Sequence, residues 1–246
     1  MKNLSVIIPA RMKSTRFPGK PLARICGLPM IHRVYNQALK AKKISDIYVA
    51  TDSTEIQAYC NSVSIPCLMT GMHETGTDRV FEACKAISSD YIINLQGDEP
   101  LMSPELIDLF ADALLSPDYN DAIILTAHSV CPLSETSDPN IVKVILSRYN
   151  KALYFTRSAH FSHTNPDGDR LAYKQLGIYG YSTKALNAFS ELGYSSLELL
   201  EKIEILRWLD FGYTAKSVFS ETSTYSVDTI DDLVRVESII THSSLQ

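Results

Sequence analysis

A buried strand followed directly by a basic loop is the feature that most constrains this fold. Residues 4–8 are apolar and predict a β-strand, and the loop at residues 9–22 carries four cationic side chains. Open α/β sheets bind ligands at the carboxyl ends of their strands, beside loops of this kind. Arginine and lysine recognise phosphate oxygens by charge-assisted hydrogen bonds. The loop therefore predicts a polyanion site, for which a nucleoside triphosphate is the best fit.

Side chains rather than backbone amides would bind the phosphates in this loop. Its sequence has neither the Gly-x-x-x-x-Gly-Lys-Ser/Thr nor the Gly-x-Gly-x-x-Gly spacing of backbone-based phosphate sites. Arg11 and Arg16 can each pair with two phosphate oxygens, and Lys20 adds a compact point charge. The alternative is a solvated basic loop, since exposed lysines and arginines are common. The position at the ligand-binding edge favours the phosphate site.

Strands and helices alternate through the first half of the chain, which predicts a mostly parallel sheet with right-handed crossovers. The strands predicted there are 4–8, 46–50, 66–69 and 90–95, and the helices are 29–41, 54–62, 77–87 and 104–115. The second half predicts strands at 121–128, 142–146, 152–155 and 174–182, and helices at 184–191, 197–211 and 229–241. The fold class is therefore α/β, with one domain over residues 1–246 that divides into lobes at about 1–118 and 119–246.

Composition narrows the functional classes. The chain is 45% hydrophobic with a formal net charge of −5, so it can bury a core but lacks the positive field of a nucleic-acid-binding protein. No apolar run approaches the roughly 20 residues that span a bilayer, and no signal-peptide pattern is present. The five cysteines lack Cys-x-x-Cys spacing, which predicts reduced thiols. We therefore predict a cytoplasmic protein with no nucleic-acid or membrane partner.

A carboxylate follows the fourth predicted strand. Asp98 comes just after residues 90–95, between Gly97, which lets a ligand approach, and Pro100, which ends the strand. A carboxylate at this edge of the sheet is placed to hold Mg²⁺. An ordinary turn is the alternative, because glycine, aspartate and proline are common in turns.

A second carboxylate, Asp228, lies in a short extended segment before the last predicted helix. We predict that it shares one Mg²⁺ with Asp98. The alternative is that Asp228 only stabilises a helix N-terminus, since Thr229 and Asp232 have the spacing of a capping box.

Fewer signals stand in the second half of the chain. Arg157 ends one predicted strand, and the strand at 174–182 is rich in aromatic residues and glycine. Both features can be purely architectural, because aromatic strand residues usually pack in a core. Three glutamates spaced three apart predict a solvated helix face: Glu198, Glu201 and Glu204.

From about residue 5 to residue 236, the chain resembles the 3-deoxy-manno-octulosonate (Kdo) cytidylyltransferases, also called CMP-Kdo synthetases. The segments that carry the resemblance are 8–11 (Ile-Pro-Ala-Arg), 16–22 (Arg-Phe-Pro-Gly-Lys-Pro-Leu), 50–52 (Ala-Thr-Asp), 76–79 (Gly-Thr-Asp-Arg), 96–100 (Gln-Gly-Asp-Glu-Pro), 153–157 (Leu-Tyr-Phe-Thr-Arg), 176–181 (Leu-Gly-Ile-Tyr-Gly-Tyr), 201–204 (Glu-Lys-Ile-Glu), 206–207 (Leu-Arg) and 227–229 (Val-Asp-Thr).

The resemblance implies a Rossmann-like, mostly parallel sheet of the nucleotide-sugar transferase type, with a smaller mixed α/β second lobe. It implies Mg²⁺ as cofactor, a homodimer formed through the second lobe, and coupling of CTP to Kdo with loss of pyrophosphate. The nucleotide-binding lobe would be residues 1–118, and the sugar-binding and dimerisation lobe would be residues 119–246.

The resemblance also predicts the site residues. Those expected at the nucleotide are Ala10, Arg11, Arg16, Lys20, Gly76, Thr77, Asp78 and Arg79. Those expected at the sugar acid are Gln96, Arg157, Gln175, Tyr179 and Glu204. The expected Mg²⁺ ligands are Asp98 and Asp228, and the residues expected to carry catalysis are Arg11, Lys20, Asp98 and Asp228.

Two positions expected in the sugar pocket depart from the family pattern. Gln175 stands where the family usually has a histidine, and Ile205 stands where it usually has a glutamine. Gln175 cannot become cationic and Ile205 has no polar group, so both changes alter hydrogen bonding. They make a related 2-keto-3-deoxy acid, or a differently substituted Kdo, an alternative acceptor. Another acid or a sugar phosphate is a further alternative, as is a catalytically inactive nucleotide-binding regulator.

Overall fold

The computed structural model describes residues 2–14, 16–158, 163–164, 170–222 and 224–243. The chain divides into two compact units, of which the first is Met1–Leu115 with Thr224–Gln246 and the second is Ser116–Ser223. The sequence placed the last helix in the second lobe, and this prediction was wrong. Val227 and Val236 pack with Ile25 and Met30 of the first unit. Burial of these apolar side chains stabilises the last helix in the first unit.

The described strands, in chain order, are β1 (Leu4–Ala10), β2 (Arg24–Ile25), β3 (Leu28–Pro29), β4 (Asp46–Thr51), β5 (Cys67–Met69), β6 (Tyr91–Leu95), β7 (Ile123–Cys131), β8 (Lys143–Leu146), β9 (Lys151–Thr156), β10 (His163–Thr164), β11 (Arg170–Ser182) and β12 (Thr214–Phe219). The described α-helices are α1 (Met30–Leu39), α2 (Thr54–Ser62), α3 (Gly76–Cys84), α4 (Pro104–Leu115), α5 (Thr183–Phe189), α6 (Ser196–Glu201), α7 (Ile205–Asp210) and α8 (Ile230–Ser243).

The main sheet of the first unit is parallel, in the order β5-β4-β1-β6. Every residue of β1 and of β6 is buried, as expected for strands covered on both faces. The α/β class and the parallel sheet predicted from the sequence are confirmed. Because the strands run the same way, their carboxyl ends and the loops that follow share one edge.

Three helices of the first unit begin at side-chain caps. The hydroxyls of Ser53, Thr75 and Ser103 each accept a backbone N–H three residues further on, at 3.3, 3.1 and 3.2 Å respectively. Such caps satisfy N–H groups that have no partner within the helix. They fix where α2, α3 and α4 start.

The second unit is a mixed sheet whose ends meet. Its order is β11-β7-β12-β9-β8, and β8 pairs back with β11 through Lys143 and Lys174. β12 runs parallel to β7 and antiparallel to β9, while the β11–β7 and β8–β9 pairs are antiparallel. A mixed α/β second unit agrees with the prediction.

Two details of the second unit differ from the sequence prediction. The helix predicted at 197–211 is two helices, because Lys202 adopts a left-handed conformation with φ 56° and ends α6. Strand β12 was not predicted. Its buried positions are the small residues Ala215 and Ser217, which do not produce the apolar alternation that marks a strand.

None of the described helices is long and apolar enough to cross a membrane.

Candidate active site

The basic loop after β1 folds back on itself and presents Lys20. The backbone N–H of Gly19 donates to the carbonyl of Met12 at 3.1 Å, and a single 3₁₀ turn over Lys20–Leu22 follows. Gly19 has φ 74°, a left-handed conformation that other residues adopt only with strain. This glycine therefore sets the direction in which the Lys20 side chain leaves the loop.

Lys20 lies between two carboxylates. Its Nζ donates to Asp98 Oδ2 at 2.7 Å and to Asp228 Oδ1 at 3.2 Å. Arg16 adds a second cation, with Nη2 at 3.0 Å from Asp228 Oδ1. Burial lowers the pKa of Lys20, but the charges of Asp98 and Asp228 and their hydrogen bonds outweigh that effect and leave the pKa raised. The ammonium is charged at neutral pH, and the loop, β6 and the last segment of the chain meet at this one atom.

The backbone joins the two carboxylate segments. The N–H of Val227 donates to the carbonyl of Asp98 at 2.9 Å, and the Val227 side chain is completely buried. Asp232 caps α8, since its Oδ2 accepts from the N–H groups of Asp228 and Thr229 at 3.0 and 2.8 Å. The capping-box spacing is confirmed, but Asp232 supplies the capping carboxylate. The Asp228 carboxylate is directed to Lys20 and Arg16 instead.

Gly97 allows the ends of β1 and β6 to approach closely. A Cβ atom at this position would lie 2.6 Å from the backbone carbonyl oxygen of Pro9, a distance that real Cβ atoms do not tolerate. Next to it, the Gln96 side chain donates from Nε2 to Asn94 Oδ1 at 3.0 Å. The glycine thus serves close backbone packing directly beside Asp98.

The start of α3 lies against the same strand end. The space beside Gly76 is filled by the Gln96 amide, which a Cβ would meet at 3.2 Å. Asp78 forms a reciprocal cap with Thr75, whose hydroxyl donates to Asp78 Oδ2 at 2.6 Å. Thr77 is buried. The structure therefore brings Gly76 and Gln96 together, although the sequence assigned them to the nucleotide and to the sugar acid.

Arg79 does not face open space. Its side chain is 2% exposed, and its guanidinium contacts Asp52 Oδ1 at 3.2 Å and Thr70 Oγ1 at 2.6 Å. We predicted a nucleotide-binding residue here, whereas the structure shows a guanidinium committed to protein groups. Its burial makes it a support for the neighbouring loop.

The other residues predicted at the nucleotide lie at or near the carboxyl end of β1. Ala10 is the last residue of that strand and is buried. Arg11 follows it and is exposed, with Nη1 donating to the Glu74 carbonyl at 2.8 Å. Arg11 is therefore available at the surface of this edge.

Asp98 and Asp228 fit a magnesium ion. Both carboxylates lie within 3.2 Å of one positively charged atom, so they already converge on a cation. Mg²⁺ usually takes one or two protein carboxylates and completes its coordination with water and substrate phosphates. The described residues hold no cluster of three or more histidine, cysteine or acidic side chains suited to a metal. Asp98 and Asp228 would supply two oxygen ligands to such an ion.

In the second unit, Arg157 is held by its neighbours at the end of β9. Its Nε donates to the Glu201 carbonyl at 3.2 Å, and its Nη1 donates to the Pro139 carbonyl at 2.9 Å. Its backbone N–H donates to Glu201 Oε2 at 2.9 Å. The guanidinium is fixed along one side by backbone carbonyls.

Two residues predicted at the sugar acid contact each other. Gln175 Nε2 lies 3.2 Å from the Tyr179 hydroxyl and 3.2 Å from Thr126 Oγ1. An irregularity of β11 between Leu176 and Tyr179 shifts its register against β7 and allows this contact. The structure therefore supports one cluster that contains Gln175 and Tyr179.

Glu204 and Ile205 stand at the start of α7. Glu204 is half-buried. Ile205 is only 1% exposed, so its side chain belongs to the core of the second unit. The expectation that Ile205 faces the acceptor was wrong. Burial of an isoleucine side chain in the core lowers the free energy of the folded state.

The predicted solvated face of glutamates was also wrong. Glu198 is buried and forms a two-pronged ion pair with Arg207, at 2.6 Å for each nitrogen–oxygen contact. Glu201 accepts from Thr156 Oγ1 at 2.9 Å as well as from Arg157. One signal was available in the sequence: Ser195 caps α6 by accepting from the N–H of Glu198, and Ser-x-x-Glu spacing marks such a helix start.

Comparisons with known proteins show the family to which this chain belongs. The family model for cytidylyltransferases matches residues 5–220. The chain is 39% identical to the 8-amino-3,8-dideoxy-manno-octulosonate cytidylyltransferase of Shewanella pealeana, over 97% of this chain and 99% of the relative. It is 40% identical to the 3-deoxy-manno-octulosonate cytidylyltransferase of Pelobacter propionicus, over 95% of each.

A solved structure of CMP:2-keto-3-deoxy-manno-octonic acid synthetase complexed with CTP superposes with a TM-score of 0.89 at 32% identity, covering 98% of this chain and 100% of that one. Similarity of this extent, in sequence and in fold, places the whole described architecture within one family. The chain belongs to the cytidylyltransferase family.

Proposed function

We propose that this protein couples CTP to a 3-deoxy-2-ulosonic acid, Kdo or a Kdo-like sugar acid, to give a CMP-sugar and pyrophosphate. The observation that carries the proposal is the convergence of Lys20, Asp98 and Asp228 at the ligand-binding edge of the first unit. A protein that only binds nucleotide has no need of two carboxylates on one cation. Family membership and the named relatives support the same reaction.

Charge stabilisation is the chemistry that this edge can supply. The anomeric hydroxyl of the sugar acid attacks the α-phosphorus of CTP in line, a new P–O bond forms, and pyrophosphate leaves. Lys20 and Arg11 neutralise the triphosphate, with Arg16 as a further cation of the same loop. Because Lys20 pairs with both carboxylates, phosphate oxygens must compete with them for its ammonium.

Asp98 and Asp228 are the residues that would hold the Mg²⁺ cofactor. When bound, Mg²⁺ polarises the α-phosphate and lowers the pKa of the attacking hydroxyl. The protein keeps the two carboxylates together through the Val227–Asp98 backbone hydrogen bond. Asp232, rather than Asp228, supplies the carboxylate that caps α8.

The sugar acid would be recognised by residues of the second unit. Arg157 is the residue suited to the carboxylate, because a guanidinium pairs with carboxylates through parallel hydrogen bonds. Gln175, Tyr179 and Glu204 would contact hydroxyl groups of the sugar.

Two acceptors are candidates, Kdo and its 8-amino form, and one observation favours the 8-amino form. The named relatives act on 3-deoxy-manno-octulosonate and on its 8-amino-3,8-dideoxy form. Gln175 is neutral at every pH and donates to Tyr179, where a histidine could carry positive charge. A neutral side chain is more compatible with an acceptor that carries an ammonium group, so the 8-amino sugar is the second candidate.

Pyrophosphate release tests the reaction and the acceptor together. Purified protein with CTP and Mg²⁺ should release pyrophosphate with one or both octulosonates and not with a sugar phosphate. Replacement of CTP by the other nucleoside triphosphates should remove most of the activity. Binding of CTP without release in the presence of any 2-keto-3-deoxy acid would instead support the regulatory alternative.

We further propose a cytoplasmic homodimer that forms through the second unit. Leu199, Leu200 and Tyr149 of that unit are large apolar side chains that remain exposed, and such surface is typical of association sites. All five cysteines are free thiols, which suits a reducing compartment. Light scattering coupled to size exclusion should give twice the chain mass of 27.4 kDa, and a monomer at micromolar concentration would refute the dimer.

A further inference from the structure

Arg157 is held along one side of its guanidinium by backbone carbonyls. Nε and Nη1 donate to the carbonyls of Glu201, Pro139 and Asn140, at 3.2, 2.9 and 3.4 Å. The carbonyl of Arg157 itself accepts from the buried Lys143 ammonium at 2.8 Å. Within the described part of the chain, no hydrogen bond is made by Nη2. The guanidinium is thus oriented in advance, with one edge available to a ligand.

Glu201 is the centre of this arrangement. Its Oε2 accepts from the Arg157 N–H at 2.9 Å, while its Oε1 accepts from Thr156 Oγ1 at 2.9 Å and from the Tyr154 hydroxyl at 3.4 Å. Burial and the charge of Glu201 both raise the pKa of Tyr154, which keeps that hydroxyl protonated as a donor. The side chain binds two hydroxyls of β9 and the backbone N–H of Arg157 just after it, and its backbone carbonyl binds the Arg157 side chain.

The position of Glu201 in its helix is also fixed. It is the last residue of α6, which ends because Lys202 is left-handed with φ 56° and donates to the Glu198 carbonyl at 2.7 Å. That helix end places the Glu201 carbonyl beside Nε of Arg157. One residue therefore connects the end of α6 to the end of β9 by both its main chain and its side chain.

We infer that Glu201 is a positioning residue for the sugar acid, which acts by orienting Arg157 toward the acceptor carboxylate. The inference rests on the proposed function, because Arg157 is assigned there to the acceptor. A carboxylate is required at position 201 because both of its oxygens face donors. An amide has only one acceptor oxygen, and its NH₂ group would face either the Thr156 hydroxyl or the Arg157 N–H.

The test is a kinetic comparison of Glu201→Gln with the unaltered enzyme. We expect the KM for the sugar acid to rise about tenfold, which is the usual effect of losing a hydrogen bond to a charged group. The KM for CTP and kcat should change less than twofold. Glu198→Gln is the matched control in the same helix: it breaks the ion pair with Arg207 and should lower the thermal midpoint without a selective change in the acceptor KM.

A double-mutant cycle shows whether Glu201 acts through Arg157. If it does, Glu201→Gln should add nothing to the acceptor KM of an Arg157→Lys variant. Thr156→Val provides a second route if Glu201→Gln folds poorly, and it should shift the acceptor KM in the same direction by a smaller factor. Equal increases in both substrate KM values, or additive effects in the cycle, would overturn the inference. Absence of activity in the unaltered protein would instead refute the proposed function itself.

Discussion

The backbone N–H of Val227 donates to the carbonyl of Asp98 at 2.9 Å, and this hydrogen bond joins the two segments that carry the site's carboxylates. The Val227 side chain is fully buried, and Val227 immediately precedes Asp228 in the chain. The site is therefore built by packing as much as by charge.

Lys20 should matter for the outer phosphates of the nucleotide. Lys20→Ala removes the ammonium that pairs with both Asp98 and Asp228. We expect CTP to bind at least about tenfold more weakly, as for loss of a charge-assisted hydrogen bond, and CMP to lose less than about threefold. Calorimetric titration measures both affinities. Equal losses for CTP and CMP would place Lys20 away from the outer phosphates.

Lys20 should also compete with divalent cations in the nucleotide-free protein. A metal that binds Asp98 and Asp228 must displace the ammonium that now bridges them. Lys20→Met should therefore bind Mn²⁺ about tenfold more tightly without nucleotide, as measured by titration with detection of free Mn²⁺ by electron paramagnetic resonance. Lys43→Met, which breaks an exposed pair with Asp112, is the control and should change nothing. An unchanged Mn²⁺ affinity in Lys20→Met would argue against a shared cation site.

Gly97 should tolerate no side chain. In Gly97→Ala the new Cβ would lie 2.6 Å from the Pro9 carbonyl oxygen, so the ends of two buried strands must separate. We expect the free energy of unfolding to fall by about 1–3 kcal/mol, the usual range for overpacking. Gly193→Ala is the control, since nothing lies within 4 Å of its Cβ position. Urea unfolding of both variants is the measurement, and equal stability would contradict the close approach.

The stability of the fold should depend on His128 in mild acid. Burial lowers the pKa of His128 to about 4, and its Nδ1 lies 2.7 Å from the Ser217 hydroxyl oxygen. Because the unfolded chain protonates this residue near pH 6.5 and the folded one only near 4, the stabilisation is present above pH 6.5 and is lost as pH falls toward 4. Urea unfolding should show less pH dependence between 7 and 5 in His128→Phe than in the unaltered protein. An identical slope would contradict the assignment.

Regular elements were the most predictable part of this fold. The strands of the parallel sheet are continuous apolar runs, so β1 and β6 could be found within two residues of their ends. Elements that depend on small buried residues, or on a non-glycine residue in a left-handed conformation, could not be predicted from the sequence. Strand β12 carries Ala215 and Ser217 at buried positions, and the break after α6 depends on a left-handed Lys202 rather than on a glycine.

A site residue could be predicted from the sequence where its position at the end of one strand was sufficient to place it. Asp98 could be placed because ligand edges of parallel sheets are marked by the loops after the strands. The contacts of Lys20 could not be derived in this way, since its partners are 78 and 208 residues further along the chain. Arg79 shows the opposite case: the family resemblance placed it at the nucleotide, whereas its buried guanidinium contacts Asp52.

Pyrophosphate release by Asp98→Asn and Asp228→Asn tests the central claim most directly. Each substitution removes one charged oxygen from the pair that converges on a single cation, and neither residue is needed to cap α8. The assay contains CTP, Mg²⁺ and the octulosonate that the unaltered protein uses. Both variants should lose at least about a hundredfold in rate, as expected when electrostatic stabilisation of a transition state is removed. Both should keep the circular dichroism spectrum of the unaltered protein. Near-normal release by the Asp228→Asn variant at limiting Mg²⁺ would contradict the shared carboxylate site.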